Sequence, residues 1–171
     1  MVERGENLKN IKIIRNYPED TVKCKGDRNL LQQVFINLMS NAVDVMQEGG
    51  KINVNVSYRF ASRAGNKVGK RTGDHYNVGD RITVVEIEDT GKGIPEDLLP
   101  KIFEPFFSTK ETGKGAGLGL SLAYLIIDRH QGSIDVESRI NQGTKFTINL
   151  QQADNYDKGE QYGAKKKNSI N

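Results

Sequence analysis

Phe103–Ser121 reads FEPFFSTKETGKGAGLGLS. Glycines at 113, 115, 117 and 119 run into the apolar stretch that follows, and phenylalanines at 103, 106 and 107 precede them. Glycine inside a packed element costs stability, so such a cluster serves backbone shape or the close approach of something else. The cluster is not a P-loop, because no Lys-Ser or Lys-Thr closes it. It also lacks the G-x-G-x-x-G spacing of dinucleotide-binding turns. It leads into a helix expected over Leu118–His130, with Gly132 behind it. Free backbone N–H groups and the positive dipole end favour a phosphate there. Lys110 and Lys114 add mobile positive charge, so the segment reads as a lid that orders on its ligand. The three phenylalanines are expected to anchor its base on the core.

Outward from the lid, helix and strand patterns alternate. Leu30–Gln47 has helical periodicity and ends at Gly49 and Gly50. Strands are expected at Ile11–Ile14, from Lys51, over Arg81–Asp89, and in SIDVES and KFTINL, the last two joined by the turn INQGT. Pro95–Phe103 reads as a short helix. Arg59–Asp80, rich in glycine and basic residues, reads as a long mobile hairpin loop. Residues 1–10 read as an N-terminal remnant or linker, 11–150 as one domain and 151–171 as a polar disordered tail.

The chain has 171 residues, 36% apolar and 27% charged, with a net charge of +3 and a mean hydropathy of −0.60. No apolar run approaches the roughly 18 residues of a membrane helix. The mild charge and the absence of basic–aromatic interleaving argue against nucleic acid as a partner. The one cysteine, Cys24, has no partner in the chain, which fits a reducing cytoplasm and a structural thiol.

On the first helix, at about 100° per residue, Gln33, Asn41 and Asp44 fall within about 40° of Asn37. Leu31, Val34, Phe35, Leu38, Met39, Ala42, Val45 and Met46 fill the opposite arc. A solvated face is the ordinary reading of such a polar stripe. Solvated faces, however, favour Lys, Glu and Arg, whereas asparagine costs about 0.5 kcal/mol per site in a helix. Amide oxygens on adjacent turns suit a phosphate-bound magnesium ion. EIEDTGKGIP sets Asp89 at a strand end, followed by Gly91, Gly93 and Pro95. A turn accounts for these residue types. So does a planar ligand lying on bare backbone while Asp89 accepts a hydrogen bond from an exocyclic amine.

Together, NLMSNA, DTGKGIP, FEPFFSTK and GKGAGLGLS resemble, in order, the N box, first glycine box, phenylalanine box and second glycine box of the Bergerat-type ATP-binding fold. That fold is shared by sensor histidine kinases, gyrase B, Hsp90 and MutL. QGTKFTINL resembles its closing strand, and the phenylalanine-box form is most similar to the nitrogen-regulation class of histidine kinases. The resemblance implies an α/β two-layer sandwich with a mixed sheet and three helices on one face. It implies ATP and Mg2+ as cofactors, with Asn37 and Asn41 at the metal and Asn37 and Lys110 in catalysis. It assigns ATP binding to Asn37, Asn41, Asp44, Asp89, Gly91, Gly93, Ile94, Lys110, Gly115, Gly117, Leu118, Gly119 and Thr144.

Hydrolysing members carry a glutamate where Asn37 stands, and an amide cannot take a proton. The resemblance therefore implies a cytoplasmic protein histidine kinase catalytic domain, monomeric as a fragment, whose parent can be membrane-anchored. Its partners would be its own dimerisation domain, which bears the acceptor histidine, and a response regulator. A regulatory nucleotide-binding module and an ATPase of this superfamily remain the alternatives. Two departures stand out. Asp44 occupies a position that is often basic, and neither His75 nor His130 sits in an acceptor motif.

Overall fold

The computed structural model describes residues 10–19, 23–61, 76–110 and 116–153. A mixed five-stranded sheet has the order β1-β2-β3-β5-β4. Its strands are β1 (Ile11–Asn16), β2 (Gly50–Phe60), β3 (Arg81–Asp89), β4 (Ser133–Arg139) and β5 (Gly143–Gln151). β1 runs parallel to β2, and the other pairings are antiparallel. α1 (Arg28–Asp44), α2 (Gly119–Arg129) and a 3₁₀ helix (Glu96–Lys101) complete the described elements. The third helix expected from the sequence is thus this 3₁₀ turn, with Pro95 at its N-cap.

The alternation in β3 sorts its side chains between two faces. Val85 and Ile87 join Ile52, Phe146, Ile148 and Leu150 under α1 and α2. From the helices come Leu31, Val34, Leu38 and Ala42, and Ala123, Ile126 and Ile127. Leu38, Ile52, Ile127 and Ile148 are among the largest fully buried side chains. Truncating any of them to alanine should cost about 2–5 kcal/mol. On the other face Ile82 and Val84 pack with Ala61 and Tyr76, and the Tyr76 hydroxyl donates to the Asn149 carbonyl at 2.7 Å. The return limb of the β2–β3 loop is thereby fixed to the sheet. The loop's middle, with His75, lies outside the described residues.

α1 starts where Asp27 Oδ1 accepts from the amides of Asn29 and Leu30 at 2.8 and 3.1 Å, an N-cap of the usual kind. The helix ends at Asp44, three residues short of the expected Gln47. The Met46 amide turns to the Val43 carbonyl, and Gly49 follows at φ 99°. Residues 151–153, expected within the polar tail, instead belong to the sheet region, and the rest of that segment lies outside the described residues. Gln151 closes β5 and Gln152 bridges to Cys24, which leaves that thiol half-buried. His130, just past the end of α2, takes part in a contact between the two helices. Its Nε2 accepts the Asp27 amide at 2.9 Å and its Nδ1 faces the Ile126 carbonyl at 2.7 Å. The ring therefore carries its proton on Nδ1 and clamps the start of α1 to the end of α2.

Candidate nucleotide site

A cleft of about 580 Å³ opens between α1, the Asp89–Pro95 loop, the lid base, the start of α2 and the β4–β5 turn. Its volume lies within the range of small-molecule sites. Ala42, Ile94, Ile102, Phe107 and Phe146 give it an apolar floor. Asn41, Asp89, Lys110 and Thr144 supply polar groups.

At the closed end, Asp89 is 4% exposed. Its Oδ1 accepts the Gly91 amide at 2.8 Å. Burial raises its carboxyl above the ordinary 3.8, against the downward pull of the Gly91 and Thr144 amides, while Glu88 adds to the rise. Such a carboxylate, short of donors and facing an apolar cleft, would gain from a ligand N–H.

The neighbouring turn is built to hold it. Gly143 has φ 102°, and a Cβ there would stand 1.9 Å from the Asp89 carbonyl oxygen. Only glycine fits both that conformation and that approach. Ser138 Oγ donates to the Gly143 carbonyl at 2.9 Å and accepts the Ile94 amide at 2.8 Å. Its single proton being spent, Thr144 Oγ1 donates to Ser138 at 2.9 Å, which leaves the Thr144 oxygen as an acceptor. Ser138 and Gly143 escaped the sequence reading. A serine in an alternating strand carries no signal, though the Asn-Gln-Gly-Thr turn could have pointed to Gly143.

The glycines of the first loop divide. Gly93 lines the cleft. Gly91 does not line it. It is buried, and a Cβ there would lie 2.5 Å from Val45 Cγ2. The same Cβ would stand 2.9 Å from Asp89 Oδ1, so the bare backbone at Gly91 serves both the packing of α1 and the seating of that carboxylate.

At the open end the stripe on α1 is real. Gln33 Nε2 donates to Asn37 Oδ1 at 3.1 Å, and Asn37 Nδ2 donates to the Gly119 carbonyl at 3.0 Å. Asn37 therefore ties α1 to the start of α2, while Asn41 lines the cleft. Lys110 Nζ lies 2.6 Å from Asp44 Oδ2 and 3.4 Å from Asn41 Oδ1. Gly117, Leu118 and Gly119 line the cleft at the start of α2, and no side chain caps that helix. Its first N–H groups are open to an anion.

Of the expected aromatic anchors, Phe103 packs tilted against Tyr124, with ring centroids 5.4 Å apart, and edge-on to Phe146 at 6.5 Å. Phe107 lines the cleft. Phe106 does not anchor the lid. It is 77% exposed, with φ 66°, because its amide turns to the Gly117 carbonyl at 3.0 Å. Lys114 and Gly115 lie outside the described residues. No helix among the described residues is long and apolar enough to cross a membrane.

Comparison with known proteins agrees with this geometry. The family described as histidine kinase-, DNA gyrase B- and HSP90-like ATPase matches residues 26–154. Sporulation kinase A of Bacillus subtilis is 40% identical over 150 residues, covering 88% of this chain and 21% of that protein. Sensor kinase CckA of Brucella abortus is 43% identical over 145 residues, covering 83% of this chain and 14% of that protein. The chain thus spans about a fifth or less of these two relatives. Among solved structures, the catalytic domain of histidine kinase ThkA superposes with a TM-score of 0.62 at 32% identity, over 84% of this chain and 80% of that one. Fold, ordered boxes and cleft together establish that the chain belongs to the histidine kinase-, DNA gyrase B- and HSP90-like ATPase family, as an ATP-binding catalytic domain of the sensor histidine kinase kind.

Proposed function

We propose that this domain presents ATP for phosphoryl transfer to a histidine on a separate helical dimerisation domain of its parent protein. An aspartate on a response regulator would then take the group. The observation that carries the reading is the amide of Asn37 in the place where a hydrolase needs a carboxylate. Asn37 Nδ2 donates to the Gly119 carbonyl, and an amide has no basic site to draw a proton from water. An acceptor imidazole brings its own nucleophilic nitrogen. That nitrogen attacks the γ-phosphorus, the bond to the β,γ-bridging oxygen breaks, ADP leaves with the electron pair, and the imidazole loses its ring proton to solvent.

The chain's own work is positioning and charge stabilisation. Asp89 accepts the exocyclic amine of adenine, with the Thr144 hydroxyl beside it. Gly93 and Ile94 border the base. Gly117, Leu118 and Gly119 offer the helix N-terminus to phosphates, with Gly115 assigned the same role. Lys110 balances phosphate charge. Magnesium would be held by the hard amide oxygens of Asn41, which lines the cleft, and of Asn37 once its Oδ1 leaves the Gln33 amide, alongside water and phosphate ligands. The ion would screen the charge of the triphosphate.

Leu118, Leu122 and Leu125 are 42%, 41% and 61% exposed. At spacings of four and three, Leu118 at the N-cap and Leu122 and Leu125 on α2 form one stripe beside the cleft, an apolar face suited to a helical acceptor domain. The phenylalanine-box form FEPFFSTK favours the nitrogen-regulation class. The isolated domain is expected to be monomeric and to work in the cytoplasm.

Radiolabelled ATP with and without a cognate dimerisation domain tests the reading. Label should appear on the acceptor histidine, with negligible phosphate release by the domain alone. Rapid steady release would contradict it and favour an ATPase, and binding without label transfer would favour a regulatory module.

A further inference from the structure

Asn41 and Asp44 sit three residues apart on α1, so their side chains share one face. Asn41 Oδ1 and Asp44 Oδ2 approach the same group, the Lys110 ammonium, at 3.4 and 2.6 Å. Lys110 arrives from across the cleft. Its backbone is held by a turn in which its amide donates to Ser108 Oγ at 3.1 Å. One carboxylate and one amide oxygen therefore converge on a cation position at the open end of the site.

The chemistry of that position has two sides. A carboxylate beside a triphosphate repels it unless a cation stands between them. A carboxylate and an amide oxygen are also the hard ligands from which magnesium takes one or two while it keeps water and phosphate oxygens. The Lys110 and Asp44 side chains are 32% and 46% exposed, and ion pairs that open to water are weakly held. The ammonium is thus easily displaced from a seat suited to a harder, doubly charged ion.

We propose that the Asn41–Asp44 oxygen pair is a cation seat, filled by the Lys110 ammonium in the nucleotide-free protein and yielded to the divalent ion that arrives with nucleotide. The freed Lys110 then pairs with phosphate oxygens. Asp44 makes lysine release and metal entry one event, so the site senses the metal as well as the nucleotide. The nucleotide half of this inference rests on the proposed function; the seat itself does not.

Two measurements test it. In the nucleotide-free protein, Mn2+ is titrated and paramagnetic broadening of the Asn41 and Asp44 amide signals is followed by NMR. Lys110→Met should reach half-broadening at Mn2+ concentrations at least fivefold lower than wild type, and adding Asp44→Asn should remove the gain. Equal midpoints for wild type and Lys110→Met would overturn the seat. By calorimetry, the ratio of ADP affinities with Mg2+ and with EDTA should fall at least tenfold in Asp44→Asn relative to wild type. An unchanged ratio would overturn the exchange. If wild type binds no ADP in either buffer, the proposed function fails instead, and the Mn2+ titration still decides the seat.

Discussion

The two ends of the cleft are made differently. At the closed end, Asp89 is buried and braced by backbone amides, and Gly143 and Ser138 lock the turn beside it. At the open end, Asn41, Asp44 and Lys110 meet in partly exposed side-chain contacts. A fixed carboxylate in a dry pocket discriminates, because a wrong partner leaves it unpaired. Solvated side chains discriminate poorly but rearrange at low cost. We read the first as the part that selects the base and the second as the part that moves with the phosphates and metal.

The contrast can be broken most directly by changing the base. GDP offers a carbonyl where ADP offers an amine, so its affinity should be at least about 1,000-fold lower, some 4 kcal/mol. Comparable GDP and ADP affinities in calorimetry would erase the distinction between the two ends.

Next in size is Gly143→Ala. A Cβ 1.9 Å from the Asp89 carbonyl at φ 102° should cost about 2–4 kcal/mol in chemical denaturation and weaken ADP binding with it. Unchanged stability would show that the closed end is not rigid. Lys110→Ala should leave ADP affinity within about threefold yet slow transfer to an acceptor domain by roughly 10- to 100-fold. Loss of ADP binding in that variant would make the open end a binding determinant as well. Phe106→Ser should shift stability by less than about 0.5 kcal/mol, because the ring is 77% exposed.

The same contrast explains what the sequence disclosed. Periodicity located the helices and strands, because burying one face is a rule each segment obeys by itself. The α1 stripe was visible in the same way, and Asn37, Asn41 and Asp44 do share a face. What stayed hidden depends on contacts between distant segments. Ser138 matters because it ties the Ile94 amide to the Gly143 carbonyl. Gly91 is bare where a side chain would crowd both Val45 and the Asp89 carboxylate. His130 serves as a neutral clamp on Asp27, a hydrogen bond spanning 103 positions in sequence. Phe106 is the converse case: its aromatic side chain among phenylalanines points to core, but a left-handed backbone turns it outward.

The central claim is that Asp89, as a buried carboxylate, reads the adenine amine. Calorimetric titration of Mg-ADP into wild type and Asp89→Asn across a range of pH tests it directly. Replacing the acceptor by an amide should weaken binding by about 100-fold at neutral pH, near 3 kcal/mol. Burial raises the Asp89 carboxyl above 3.8, so the fold favours its protonated form. Stability of the empty protein therefore declines as pH rises through the window from 3.8 up to that raised value. Binding needs the ionised form, so wild-type affinity should fall as pH drops into the same window, while the asparagine variant stays flat. Equal affinities and equal pH profiles for the two proteins would contradict the account and leave Asp89 a turn residue.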